Sequence, residues 1–417
     1  MTIEAIASAT NPKRFYPWVM AFLALFMLMV TNGFTTTSIT GYDESLLKEF
    51  GWTRGQLKFR DLITLFVAGV AAPFAGVLID KIGVRRLMLT GCVLMALAYY
   101  SYGHITSLLH MYLIHAVFGL ALVCAGINIA VIHVSQWFVK QRGTAIGIAL
   151  VGSSMGGMVF TPIIVALIAK HGWRETFEWM SSFNVLLFLI CFWLARRPDE
   201  MGQKPFGFGE PTVGGSLPAS PGDLTFPEAI RTVSFWALAI VAMTTFYSLL
   251  ALASHLFLHL RGLGWTPQAA GFGLSILFTM GLISKFLFGL LVDYFNLRIV
   301  FFINILVMLT GLVMLASQST DLLWSAIIIT GFGWGGLYTL LQLQAVNNFG
   351  LTHSGKILGT ITLMDAIAGG VGIWLTGVLF DRFKSYDIAF YVLVGLVTLA
   401  LIASTRIKRE IKPVLAA

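Results

Sequence analysis

Twelve times along this 417-residue chain the sequence returns to a predominantly apolar run of about 17 to 27 residues. A helix rises 1.5 Å per residue, so about 20 such residues cross a hydrocarbon core roughly 30 Å thick. The runs fall approximately at 17–40, 59–79, 87–103, 111–134, 143–169, 177–195, 232–258, 269–292, 299–316, 323–349, 356–380 and 388–405. They are continuously apolar rather than alternating, which excludes barrel strands. Composition agrees: 57% of residues are hydrophobic and 11% charged, against about 25% charged in soluble domains. The fold class is an all-α polytopic membrane protein with twelve transmembrane helices, numbered 1 to 12 in that order.

An even number of spans puts both termini on one side. With the termini inside, 17 of the 27 Lys and Arg lie in inner segments, 9 in outer loops, and Lys285 within a span. The positive-inside rule therefore makes both termini cytoplasmic. The net charge of +8 follows this membrane rule and implies no nucleic-acid partner. The first 16 residues are mixed and polar, and the apolar run after them is too long for a signal-peptide core. Cys92, Cys124 and Cys191 fall within spans and read as small packing residues. The short loops suggest a bacterial inner membrane, and a monomer in the lipid bilayer is expected.

The one long polar stretch between spans, 196–231, is rich in Pro, Gly and Ser and reads as a flexible linker. It separates a six-helix half, 1–195, from a second six-helix half, 232–417. The halves repeat one another. GVLIDKIGVRR at 76–86 matches GLLVDYFNLR at 289–298, pairing Gly76 with Gly289, Asp80 with Asp293, Gly83 with Asn296 and Arg85 with Arg298, always 213 residues apart. GTAIGIALVGSSMGG at 143–157 aligns with GKILGTITLMDAIAG at 355–369. Its matched glycines, Gly143, Gly147 and Gly157 with Gly355, Gly359 and Gly369, predict close helix approach in lipid.

These residues resemble the major facilitator superfamily, whose signature between helices 2 and 3 is G-x-x-x-D-x-x-G-x-R-[RK]. Residues 76–86 fit every fixed position, and the resemblance covers essentially the whole chain. It implies the major facilitator fold and transport by alternating access around a midplane site. Asp80 and Asp293, at cytoplasmic helix ends, can pair with Arg85, Arg86 or Arg298, or accept backbone N–H groups, and so latch one conformation. Asn296 replaces the second glycine, which predicts a weaker second latch. No nucleophile elbow, phosphate loop or metal-ligand cluster is legible, so neither catalysis, a metal nor a cofactor is expected; His133 and Gln136 read as interfacial polar residues.

Ionisable residues inside a span cost about 2.5–3.5 kcal/mol each and are functional candidates by default. Lys285 lies eight residues before Asp293, and Asp365 nine after Lys356. Both are thus roughly 12–14 Å from the inner face, near the midplane. Small neighbours, Gly281, Gly289 and Gly369, give these charges room to reach across an interface. One reading is a buried ion pair that fixes packing. The other is that Lys285 binds an anionic substrate while Asp365 tunes it, competes with it or carries a proton. Asn128 on helix 4, with Tyr338 and Gln342 on helix 10, share this depth; Asn32 and Thr35–Thr37 on helix 1 and Tyr247 on helix 7 lie farther out.

QWFVKQRGTAIGI at 136–148 is similar to the W-F-x-x-[RK]-R-G-x-A-x-G-I stretch of monocarboxylate transporters and bacterial oxalate:formate antiporter-like proteins, with Gln141 at one basic position. SHLFLHLRGLGWTPQAAG at 254–271 is similar to that group's helix 7 exit, with His255 in place. The resemblance puts Lys285 where relatives carry a carboxylate-binding arginine. Asp365 stands on helix 11, where oxalate carriers bear a second cation, which favours a monoanion. His115 replaces the superfamily's usual arginine on helix 4. Proton coupling would fall to Asp365, to Asp61 beside Arg60 (otherwise a solvated pair), or to His255, which could equally serve as a hydrogen-bonding group. The expected function is symport of a small organic anion, a monocarboxylate, with a proton. The alternatives are an electroneutral anion exchanger using a counter-anion, and a transport-inactive sensor, which would have shed its midplane charges.

Overall fold

The computed structural model describes residues 12–208, 223–350 and 354–411. Every expected span falls on helix. Helices 1 to 3 are Pro12–Asn32, Arg54–Ile82 and Val84–Gly103. Helix 4 comprises Leu108–Ala125 and Ile127–Trp137. Helices 5 and 6 form Arg142–Leu194, divided at Gly172, whose φ of 79° no helix tolerates. Helices 7 to 9 are Val233–Gly262, Pro267–Tyr294 and Leu297–Ala316. Helix 10 comprises Leu323–Gly335 and Leu337–Phe349, and helices 11 and 12 are Ser354–Phe383 and Asp387–Ser404. Among the described residues the one β feature is an isolated bridge between Phe138 and Phe206. Large apolar side chains such as Phe22, Trp193, Phe286 and Tyr391 lie exposed, as a lipid solvent requires.

Helices 4 and 10 are both interrupted, at Gly126 and Gly336. Gly126 is extended (φ −93°, ψ −162°), and a side chain there would overlap the Leu122 carbonyl. Broken backbone at membrane depth survives only when neighbours satisfy the freed groups. A hydroxyl does so in each case. The Thr31 hydroxyl on helix 1 donates to the carbonyls of Met27 (2.9 Å) and Ala125 (3.1 Å). On helix 8 the Ser284 hydroxyl accepts from the Gly336 amide at 3.1 Å and donates to the Phe332 carbonyl.

The chain packs as two compact units, one of Met1–Ile39 with Val70–Gly214, the other of Thr40–Gly69 with Gly215–Ala417. In the first unit, helices 1 and 5 meet through glycines. A side chain on Gly33 would lie 2.9 Å from the Gly156 Cα, and Gly152 abuts the Leu25 carbonyl. This corrects the sequence expectation. Added side chains at Gly143, Gly147 and Gly359 would meet nothing within 4 Å among the described residues; Gly152 and Gly156 make the close approach instead. In the second unit Gly369 packs on Leu250, and a side chain on Gly372 would lie 2.7 Å from the Tyr247 carbonyl. Gly281 and Gly335 bring helices 8 and 10 together.

The connection from helix 1 to helix 2 is ordered by local rules. Helix 1 passes through a π turn, Gly33–Thr37, where the Thr35, Thr36 and Thr37 hydroxyls bond back to carbonyls four residues earlier. A short helix, Asp43–Phe50, then ends at Gly51, left-handed at φ 63° with its amide on the Leu47 carbonyl. Helix 2 opens with a capping box: Thr53 Oγ1 accepts from the Gln56 amide (3.2 Å), and Gln56 Oε1 from the Thr53 amide (3.0 Å).

Candidate functional site

In the second unit, helices 8, 10 and 11 carry the midplane candidates. Lys285 is half-buried, and its Nζ lies 5.9 Å from the centroid of the Trp334 ring, within cation–π range. Trp334 reaches this position because Gly281, one turn before Lys285, has no side chain; a methyl there would overlap the indole. The glycine that sequence reasoning read as room for the lysine is occupied by an aromatic platform. Gly289, on the other side, would meet nothing within 4 Å among the described residues.

Asp365 is buried (5% exposed), and the Tyr338 side chain is its electrostatic neighbour. Tyr338 and Gln342 stand one turn apart on helix 10 and interact electrostatically, with Gln342 exposed. Tyr247 is buried beside Thr376. Asn32 and Asn128 belong to the first unit: Asn32 is half-buried at the start of the π turn, and Asn128 is exposed two residues past the Gly126 break. Tyr338 stands two residues past Gly336, the corresponding position of the other half. His115, expected in place of an arginine, sits fully buried among Tyr102 and Phe118.

Of the latch residues, the Asp80 side chain lies outside the described residues. Gly83 between the two helices has φ 83°. Arg85 is half-buried and donates to the Phe192 carbonyl at 2.7 Å, the C-terminal end of helix 6. Arg86, Asp293 and Arg298 are exposed. Asn296, in place of the second glycine, has an ordinary φ of −60° and caps helix 9, its Oδ1 accepting from the Arg298 amide at 2.9 Å.

A charged cluster forms at the ends of helices 2, 7 and 11 in the second unit. Asp43 is fully buried, 2.5 Å from Lys58 Nζ through Oδ2 and bonded to Arg60 Nη2 through Oδ1. Lys58 also donates to the Ser254 carbonyl of helix 7 at 2.6 Å. Asp61 lies 3.6 Å from Arg60 and 3.9 Å from Lys58. The sequence expectation of a solvated Arg60–Asp61 pair is thereby corrected: Arg60 is 0% and Asp61 5% exposed, and both belong to the buried cluster with Asp43 and Lys58.

His255 is also fully buried and makes two hydrogen bonds. Its Nε2 is 2.9 Å from the Ile373 carbonyl and so carries the proton; Nδ1, 3.0 Å away, accepts from the Tyr386 hydroxyl. That hydroxyl accepts in turn from Arg54 Nη1, and the Arg54 guanidinium stacks 3.5 Å from the Phe380 ring centroid. Burial pushes the Tyr386 phenol well above its ordinary range despite Arg54 beside it, so it remains a proton donor in this chain. Asp381 closes the N-terminus of helix 2, accepting from the Arg54 (2.9 Å) and Gly55 (2.6 Å) amides. Asp43, Lys58, Arg54, Tyr386, Asp381 and Trp334 escaped sequence reasoning. Most lie in segments that read as loops, and a charge in a loop signals nothing by itself.

Membrane-length helices in two sets of six, broken helices at corresponding positions and charges held inside spans define a polytopic membrane transporter. The Major Facilitator Superfamily sequence model matches residues 17–373 and 257–414, and the chain belongs to that superfamily. It is 25% identical over 390 residues to monocarboxylate transporter 13 of Bos taurus, covering 92% of this chain and 87% of that protein. It is 24% identical over 395 residues to the oxalate:formate antiporter of Oxalobacter formigenes, covering 89% and 90%. The fold matches a D-xylose–proton symporter with a TM-score of 0.74 at 12% identity, covering 95% of this chain and 98% of the other.

Proposed function

We propose that the protein carries a small organic anion, a monocarboxylate moved together with a proton, by alternating access. The observation that supports this reading is Lys285, a cation inside helix 8 set over the Trp334 ring, with a buried carboxylate, Asp365, on helix 11 of the same unit. The lysine supplies the charge that recognises a carboxylate, and the indole an apolar face for the rest of a small acid. A proton on Asp365 would keep the loaded site close to neutral. The similarity to a monocarboxylate transporter and to an oxalate:formate antiporter points to the same substrate class. The antiporter relative also favours a second reading, electroneutral exchange of one anion for another at the same lysine.

The test is uptake of labelled lactate, pyruvate, formate and oxalate into proteoliposomes with and without an inward proton gradient. Gradient-driven accumulation of a monocarboxylate is expected, and it should vanish in Lys285→Ala protein that still inserts and folds. Unchanged uptake by that variant would overturn the role of Lys285. Asp365→Asn should lose accumulation while retaining exchange. Uptake that ignores the gradient and requires an internal anion would establish the exchanger.

A further inference from the structure

A second cationic site lies away from Lys285. The short helix Asp43–Phe50, the start of helix 2 and the end of helix 7 enclose a cleft of about 460 Å³ in the second unit. Its polar walls are Glu44, Lys48, Arg54 and Arg261, and Leu47 and Leu258 supply apolar surface. Three cations face one carboxylate. That carboxylate is already engaged: Glu44 takes both forks of Arg261, Oε2 on Nε at 2.6 Å and Oε1 on Nη2 at 2.7 Å. The pair is open to water, with Arg261 25% and Glu44 40% exposed. The third donor of Arg261, Nη1, is fixed on the Trp265 carbonyl, so the guanidinium stays in place if Glu44 leaves.

Glu44 also has somewhere to go. Lys48 is exposed, makes no ion pair among the described residues, and lies four positions after Glu44 on the same helix. That is the favourable i, i+4 order for Glu and Lys. Arg54, clamped on Phe380 and Tyr386, makes no ion pair with a carboxylate side chain among the described residues. A small organic acid brings the same functional group that Arg261 already holds.

We propose that this cleft is a capture site for a carboxylate monoanion, which displaces Glu44 from Arg261 while Glu44 turns to Lys48 and Arg54 supplies the balancing charge. The site rests on the organic-anion reading of the transporter, and it lies at the end of helices 2 and 7 that charge asymmetry assigns to the outside. It acts before Lys285: it concentrates substrate at the mouth, and by taking Arg261 it releases one tie between the short helix and helix 7.

The test is equilibrium binding of labelled lactate to the purified full-length protein carrying Lys285→Ala, which removes the midplane cation. A weak, saturable site should remain. Adding Glu44→Gln, which removes the internal competitor, should tighten it by about threefold or more, and adding Lys48→Gln should loosen it by a similar factor. Both residues are solvent-accessible, so neither change should cost the fold. Loss of all binding in the Lys285→Ala protein, or binding indifferent to both substitutions, would overturn the capture site. Loosening by Glu44→Gln would overturn the exchange and leave Glu44 a structural anchor. A wild-type protein that binds lactate in the cleft yet transports no carboxylate would sink the transport reading alone.

Discussion

Asp43 carries more of the charged cluster than its place in a connecting segment suggests. Both carboxylate oxygens are used, one on Lys58 and one on Arg60, and all three side chains are fully buried. Removing one member of such a group is costly because the remaining charges keep their desolvation penalty. Asp43→Asn is nearly isosteric, yet it should destabilise the protein by about 3–5 kcal/mol, read as a large fall in the melting temperature in detergent. Asp61→Asn should cost less, since Asp61 approaches the same cations only to 3.6 and 3.9 Å. Equal losses would mean that the two carboxylates share the load. The sequence singles out Asp61 as a carboxylate next to Arg60 at the outer end of helix 2; Asp43 lies in a connecting segment whose path only the fold decides.

At the scale of elements, the stretch QWFVKQRG has a local structural role beside its resemblance to a family signature. Trp137 is fully buried, its ring 5.1 Å from that of Tyr16, and its Nε1 donates to the Arg196 carbonyl at 2.9 Å. The Trp137 carbonyl accepts from the Phe206 amide at 2.7 Å, and the Val139 amide donates back to Phe206 at 2.9 Å. The start of the linker is thus pinned to helix 4. Its far end repeats the device on helix 10, where the Leu224 amide donates to the Phe349 carbonyl at 3.0 Å. Trp137 and Phe349 differ by 212 positions, the offset of one of the internal repeats. Phe206→Pro, which deletes the amide hydrogen, should speed chymotryptic cleavage near Phe208 and lower stability by about 1 kcal/mol. Phe206→Leu, which keeps the amide, should show a smaller change in cleavage. If both variants cleave alike, the aromatic packing with Trp18 and Phe138 holds the segment rather than the hydrogen bond.

For the molecule as a whole, the testable claim is sidedness. The charge count assigns the Lys48 segment to the outside and the C-terminal segment around Arg406 to the cytoplasm. The three native thiols, Cys92, Cys124 and Cys191, are free and buried, which gives a quiet background for labelling. In intact cells a membrane-impermeant maleimide should modify Lys48→Cys and spare Arg406→Cys until the membrane is opened. The reverse pattern would invert the topology and place the capture cleft on the cytoplasmic face.

The sequence by itself determined the spans, their number and the duplication, because hydrocarbon thickness and backbone satisfaction leave a long apolar run no alternative to a helix. It also located Lys285 and Asp365, since an ionisable residue among apolar neighbours is conspicuous in one dimension. The tertiary structure decided what those residues face. Trp334 beneath Lys285, the Asp43 cluster around Asp61, and the Tyr386–His255 contact across 131 residues of chain all depend on which helices adjoin. Periodicity does not encode that adjacency. It is set by close packing, by which glycine admits which side chain, and by counter-charges such as Lys58 and Arg60 around Asp43.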